Sequence, residues 1–216
     1  MTRSFEIAQS LCGIRSLIIT EHSRVFPFRD IDYVHAPKTG SRSILGWFSL
    51  IRNPDYYTQH PDWYVEVSPK DEAYKNFRDI FHLQKESNNI RFCVKRDPVK
   101  RFISGFKNRV HTHDECDVKD FDQFVDNFEE IYGTNGSIYT HFKPQSLYYG
   151  TDQTIYERIF RTEELDECRQ WLSDRFNRQL PSLRLQQNVP VNVDPTNKQI
   201  EKIKHFYRAD YKNKWY

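Results

Sequence analysis

Ile90-Arg91-Phe92-Cys93-Val94-Lys95-Arg96-Asp97-Pro98-Val99-Lys100-Arg101-Phe102-Ile103-Ser104-Gly105-Phe106 is the stretch whose reading decides the fold. Residues 90–95 alternate as a β-strand does. Asp97-Pro98 then sets a helix start, with Asp as N-cap and Pro at the first helical position, where its missing N–H costs nothing. Val99, Phe102, Ile103, Phe106 and Val110 keep the spacing of one helical face. Working outward, Ile31 to His35 is a short β-like run ending in the loop Ala36-Pro37-Lys38-Thr39-Gly40. Ile44, Leu45, Phe48 and Ile51 form a helical face directly behind it. Residues 155–160 predict another strand, followed by a helix carrying Leu165, Cys168, Trp171 and Leu172. A helix over about 119–132 uses Phe121, Phe124, Val125 and Phe128, and Asp194-Pro195 opens a final helix with Ile200, Ile203, Phe206 and Tyr207. Residues 53–70 read as a surface excursion, and a short helix over 71–79 leads into Ile80-Phe81-His82-Leu83. Strand, loop and helix recur, so the expected fold class is α/β: a central parallel sheet flanked by helices, with ligands at the carboxyl ends of the strands.

The composition bounds the function. The chain has 216 residues, which predicts one domain spanning 1–216. Thirty-two Lys and Arg against thirty Asp and Glu leave a formal charge of +2, which argues against a nucleic-acid coat protein. Only 38% of residues are hydrophobic, but 15% are aromatic, which excludes the composition of a disordered chain. No apolar run reaches the roughly 18 residues of a membrane span: Leu17-Ile18-Ile19 is bounded by Arg15 and Glu21. Without a secretory signal at the N-terminus, the expectation is a soluble, cytoplasmic protein with reduced thiols. Cys12, Cys93, Cys116 and Cys168 form no C-x-x-C pair, so neither a zinc knuckle nor a disulfide scaffold is indicated.

Two segments carry chemistry, and each falls at a strand-to-helix turn. His35-Ala36-Pro37-Lys38-Thr39-Gly40-Ser41-Arg42-Ser43 offers successive backbone N–H groups, a helix N-terminus, a lysine and several hydroxyls, the ingredients of a P-loop-like phosphate cradle. It is not the Walker pattern, because Lys38 precedes Gly40 rather than following it; an ordinary polar turn is the competing reading. The second segment, 91–109, holds seven basic residues and one acid. Arg96 at the strand end and Ser104 two helical turns on can reach one phosphate monoester, with bidentate guanidinium bonds and a hydroxyl donor. A solvated basic helix face accounts for Lys107 and Arg109.

Taken together, these two segments resemble the paired nucleotide signatures of sulfotransferases, H-x-P-K-T-G-[GS]-x-S and [VL]-x-R-D-P-x-x-R-[FL]-x-S, and are closest to the carbohydrate-sulfating branch. The resemblance implies the sulfotransferase fold and 3′-phosphoadenosine 5′-phosphosulfate as donor. By the same resemblance Pro37, Lys38, Thr39, Gly40, Ser41, Arg42 and Ser43 hold the 5′-phosphosulfate, and Arg96 and Ser104 bind the 3′-phosphate. His141-Phe142-Lys143-Pro144-Gln145 is similar to the H-x-x-P-Q element of that branch. Ile159-Phe160-Arg161-Thr162-Glu163-Glu164-Leu165 is similar to its I-x-R-x-E-x-L segment, and Tyr207-Arg208-Ala209-Asp210-Tyr211 to its Y-x-x-D-Y ending. The likeness touches about residues 31–211. Ser41 replaces the commoner second glycine, and the expectation is a form without the membrane anchor of the Golgi enzymes.

Sulfuryl transfer by in-line displacement depends on positioning and charge stabilisation and needs no metal. Lys38 suits the charge that develops toward the departing nucleotide. His82, upstream of the Arg96 strand, is the first candidate for the base that takes the acceptor's proton, and His141 is its rival; a carboxylate remains an option. His111-Thr112-His113-Asp114-Glu115-Cys116 lacks the second half of a metal site and reads as a loop leading into an acidic, solvated stretch. The expected partners are the nucleotide donor and a hydroxyl acceptor, a saccharide in the leading reading; Tyr56, Tyr57, Trp63 and Tyr64 either stack on its rings or belong to the core. Two alternatives stand beside it. One is a nucleotide kinase or hydrolase on a similar loop, which lacks a Walker lysine and an evident magnesium ligand. The other is a non-catalytic module that binds nucleotides or sulfated glycans through the 91–109 patch.

Overall fold

A computed structural model describes residues 24–52, 88–183 and 191–216. His82, the excursion at 53–70, its aromatics and the helix expected over 71–79 lie outside the described residues.

Among the described residues four strands form one sheet in the order β1-β2-β3-β4: β1 (Arg24–Phe28), β2 (Ile31–His35), β3 (Ile90–Lys95) and β4 (Arg158–Arg161). β2 pairs parallel with β3, and β3 parallel with β4. The sheet is therefore α/β and mostly parallel, as expected, with one departure. β1 runs antiparallel to β2, Phe28 opposite Ile31, through a two-residue turn at Arg29-Asp30. Pro27 and the polar pair Arg29-Asp30 hide this hairpin in the sequence. An edge strand tolerates Pro27, because the missing N–H can face away from the ladder.

Alternation sorts the sheet's side chains into two layers. Phe26, Phe28, Ile31, Tyr33, Phe92, Val94 and Phe160 pack on one face against α1 (Ser41–Arg52), which contributes Ile44, Leu45, Trp47 and Phe48. Val25, Val34 and Cys93 face the other layer, with Tyr148, Tyr149, Tyr156 and Trp215. Helix α2 (Pro98–Phe106) starts where the sequence predicts, with the Asp97 carboxylate accepting from the Lys100 N–H and Pro98 in the first turn. Its Phe102 and Phe106 belong to a third, aromatic-rich cluster with Phe124, Phe128, Phe142, Ile203 and Tyr207.

Several boundaries differ from the sequence expectation. The helix expected over 119–132 is two helices, α3 (Phe121–Asp126) and α4 (Phe128–Thr134), joined at Asn127. The break keeps Phe124, Val125 and Phe128 in the core while redirecting the chain. α5 (Gly136–Phe142) and the single turn α6 (Ser146–Tyr149) follow. Residues 153–155 form a 3₁₀ turn capped by the Asp152 carboxylate, so the strand predicted from 155 begins only at Arg158. After α7 (Leu165–Phe176), the last part of the chain forms α8 (Asn197–Phe206) and α9 (Arg208–Lys212). Thr196, not Asp194, caps α8, because Thr196 and Gln199 form a reciprocal capping box. Among the described residues no helix is long and apolar enough to cross a membrane.

Candidate anion site at the carboxyl ends of the strands

The three parallel strands end on one edge, at His35, Lys95 and Arg161, and the loops leaving that edge build the site. The loop after β2 is bent by two left-handed residues, Lys38 at φ 70° and Gly40 at φ 82°. A Cβ at Gly40 would stand 2.8 Å from Leu165 Cδ1, so conformation and close packing both call for glycine there. Thr39 Oγ1 donates to the Ala36 carbonyl at 2.9 Å, and Ser43 Oγ to the Leu183 carbonyl at 2.8 Å. Both hydroxyls are thus engaged within the protein. Ser43 N–H and Ile44 N–H return to the Gly40 carbonyl. Among the described residues the N–H groups of Gly40, Ser41 and Arg42 donate to no backbone carbonyl, leaving orphan donors at the positive end of α1.

Arg101 fixes this loop from below. Its side chain reaches three backbone carbonyls: Nε donates to Pro37 at 2.9 Å, Nη1 to Lys143 at 2.7 Å and Nη2 to His141 at 3.1 Å. The residue is 1% exposed. One guanidinium thereby joins the phosphate-loop candidate, α2 and the end of α5.

Arg96, at the end of β3, is held by an amide clamp. The Gln145 side chain accepts from Arg96 N–H and donates to the Arg96 carbonyl, both at 2.8 Å. Gln145 is set in turn by Asp210, whose buried carboxylate accepts from the Gln145 and Ser146 N–H groups at 2.9 and 2.7 Å. Burial raises the pKa of Asp210, and those two N–H bonds work against the rise. Arg96 Nη1 donates to the Lys38 carbonyl at 3.2 Å, while its Nε is buried without a partner among the described residues. Ser104 is buried on α2 and makes no side-chain bond among the described residues.

The electrostatics are one-sided. Burial first, then Arg109, Arg96, Arg42 and Arg101, lower the Lys38 ammonium from its ordinary value to about 7. Its strongest charged neighbours among the described residues are these four arginines, and no carboxylate among the described residues pairs with it. A half-buried lysine among four guanidiniums suits an anion.

Arg109 corrects the sequence reading. It was expected on a solvated face; instead its side chain is 13% exposed and ion-paired to Glu115 at 2.9 Å. The cause is a π-helical turn, Lys107–Thr112, that continues α2 with wider bonds such as His113 N–H to the Asn108 carbonyl. Lys107 stays at the surface edge of that turn, half-buried. The candidate base His141 sits in the last turn of α5, its Nδ1 donating to the Ser137 carbonyl at 2.8 Å. A carbonyl can only accept, so the proton is on Nδ1 and Nε2 carries the lone pair. Burial, followed by Arg109, lowers the His141 pKa to about 4, so the ring is neutral near pH 7. His111 packs edge-on against Phe106, and among the described residues no group of three or more His, Cys, Asp and Glu side chains is placed to hold a metal.

The structure thus brings Lys38, Arg42, Arg96 and His141 to one edge. The roles of Arg101, Arg109, Gln145 and Asp210 were not read from the sequence. Three of these four lie within the quoted motifs, but a motif marks a position without saying what it bonds.

A mostly parallel sheet with a cationic strand-to-helix loop at its carboxyl edge defines an α/β protein whose loop chemistry suits anionic groups. The chain belongs to the sulfotransferase family: the family model matches residues 21–213. No curated protein matches, and no solved structure matches. Sulfuryl transfer is accordingly its reaction class, and the protein is a transferase.

Proposed function

We propose that the protein moves a sulfuryl group from 3′-phosphoadenosine 5′-phosphosulfate to a hydroxyl group of a saccharide. The observation that carries the reading is the pairing of two cations at the strand ends. Among the described residues the strongest charged neighbours of Lys38 are arginines, and Arg96, bonded to the same loop, keeps a buried Nε–H without a partner. Two anionic positions held by one loop and one strand end fit a nucleotide that carries phosphate at two places.

In this reading Lys38 and the free N–H groups of Gly40, Ser41 and Arg42 hold the 5′-phosphosulfate, with Pro37, Thr39 and Ser43 shaping the loop around it. Arg96 and Ser104 hold the 3′-phosphate. The donor supplies an activated sulfur–oxygen bond. Lys38 meets the charge that gathers on the nucleotide side as that bond breaks, a contact that strengthens in the transition state. An imidazole takes the proton of the acceptor hydroxyl: His82, or His141 through its unprotonated Nε2. The carbohydrate branch is favoured because its H-x-x-P-Q and Y-x-x-D-Y elements meet in space, Asp210 holding Gln145 and Gln145 holding Arg96. A kinase or hydrolase would need a magnesium-binding acid beside the loop lysine, whose strongest charged neighbours among the described residues are arginines.

The test is transfer of radiolabelled sulfuryl from the donor to a panel of saccharides and simple alcohols. Label in a saccharide product supports the reading. Donor binding without transfer to any acceptor would favour the non-catalytic module.

A further inference from the structure

Arg96 and Arg109 both bear on Lys38, yet their own surroundings differ. Burial acts first on both; after it Arg96 is influenced by Glu163, Arg101, Tyr216 and Asp97, and Arg109 by Glu115 and Arg42. Arg109 is the strongest charged neighbour of His141 as well, so the one guanidinium bears on both Lys38 and that ring. Arg109 is also built into place. Its Nε donates to Asn108 Oδ1 at 3.0 Å and its Nη1 to Glu115 Oε1 at 2.9 Å. Glu115 is anchored in turn, its carboxylate by the Ser137 hydroxyl and its carbonyl by Asn135 Nδ2 at 2.6 Å. Nη2 makes no bond among the described residues. Local π-helical turns often occur at functional sites, where the wider turn re-aims a side chain.

We propose that Arg109, aimed by the π-helical turn and its pair with Glu115, is a catalytic residue that binds the transferring sulfuryl group on the acceptor side of Lys38. This rests on the donor reading above. In the transfer, the acceptor oxygen forms a bond to sulfur as the bond from sulfur to the bridging phosphate oxygen breaks. The electron pair of that bond leaves with the nucleotide, and the acceptor's proton goes to the base. The sulfuryl oxygens keep their negative charge throughout. A fixed guanidinium beside Lys38 holds them in line and lowers their repulsion toward the incoming oxygen.

The distinguishing experiment compares two ligands by calorimetry: the full donor, and adenosine 3′,5′-bisphosphate, which lacks the sulfuryl group. Arg109→Gln should weaken the full donor by about ten- to a hundredfold, the worth of a charge-assisted bond, and leave the bisphosphate within about twofold of the parent. Turnover should fall further than donor affinity. Arg109→Lys, which keeps the charge, should show the same selective loss in smaller measure, and it carries the test if the glutamine variant does not fold. Equal weakening of both ligands, or of neither, would overturn the assignment. A parent protein that binds neither nucleotide would instead overturn the donor reading and the Arg109 assignment with it.

Discussion

Arg101 Nε donates to the carbonyl of Pro37 at 2.9 Å, across 64 positions of sequence. That bond fastens the Lys38 loop to α2, and the same guanidinium reaches the carbonyls of His141 and Lys143. Lysine cannot reproduce the geometry, because one ammonium replaces a planar set of donors and leaves buried carbonyls unpaired. Arg101→Lys should therefore cost roughly 2–4 kcal/mol of stability. Urea unfolding measures it, and an unchanged midpoint would show that the loop does not depend on this side chain.

Nucleotide affinity should depend on pH through Lys38. Its pKa in the free protein is about 7, because burial and four arginines oppose its charge. A bound anion stabilises the ammonium and raises that value, so binding takes up a proton above pH 7. Affinity for adenosine 3′,5′-bisphosphate should be full below pH 7. Above it, affinity should fall by up to about tenfold per pH unit until the raised pKa is reached. Calorimetry at pH 8 in buffers of different ionisation enthalpy should register the uptake. Lys38→Arg, which stays charged, should bind with no such slope; a slope that persists there belongs to another group.

The two histidine candidates separate by mutation and by pH. Loss of the true base should lower turnover by about 10²–10⁴ while donor affinity stays near normal. A base must be unprotonated, so kcat/KM falls as pH drops through its pKa. With His141 as base, activity should persist on the acid side down to about 4, the pKa that burial and Arg109 impose. An imidazole at its ordinary value would instead lose activity below about 6.5. Kinetics of His82→Ala and His141→Ala across pH assign the role, and mild, equal losses in both would point to a carboxylate.

The fold and the site were legible in the sequence to different depths. Asp97-Pro98 announced α2 to the residue, because capping is a local matter of one carboxylate and one missing N–H. The alternation of β3 and the periodicity of α1 were equally local signals. β1 was not foreseen, since its pairing depends on a turn at Arg29 in the left-handed region, which no glycine advertises. The split at Asn127 was hidden as well, because both helices bury phenylalanines at helical spacing. In the site, Lys38 and Arg96 stood out as charges at strand ends. Arg109 did not, because a regular helix and a π-helical turn carry the same sequence pattern but aim the side chain differently. Gln145 and Asp210 matter through bonds spanning 49 and 65 positions, which no local pattern encodes.

The central claim is that Arg96 reads the 3′-phosphate while Lys38 serves the transfer, and one comparison tests it most directly. Affinity is measured for nucleotides with and without the 3′-phosphate, adenosine 3′,5′-bisphosphate against adenosine 5′-phosphate, in the parent protein and in Arg96→Ala. The parent should prefer the bisphosphate. Arg96→Ala should lose about ten- to a hundredfold of that preference, while affinity for the 5′-phosphate alone stays near the parent value. Full discrimination retained in Arg96→Ala would contradict the account at its centre.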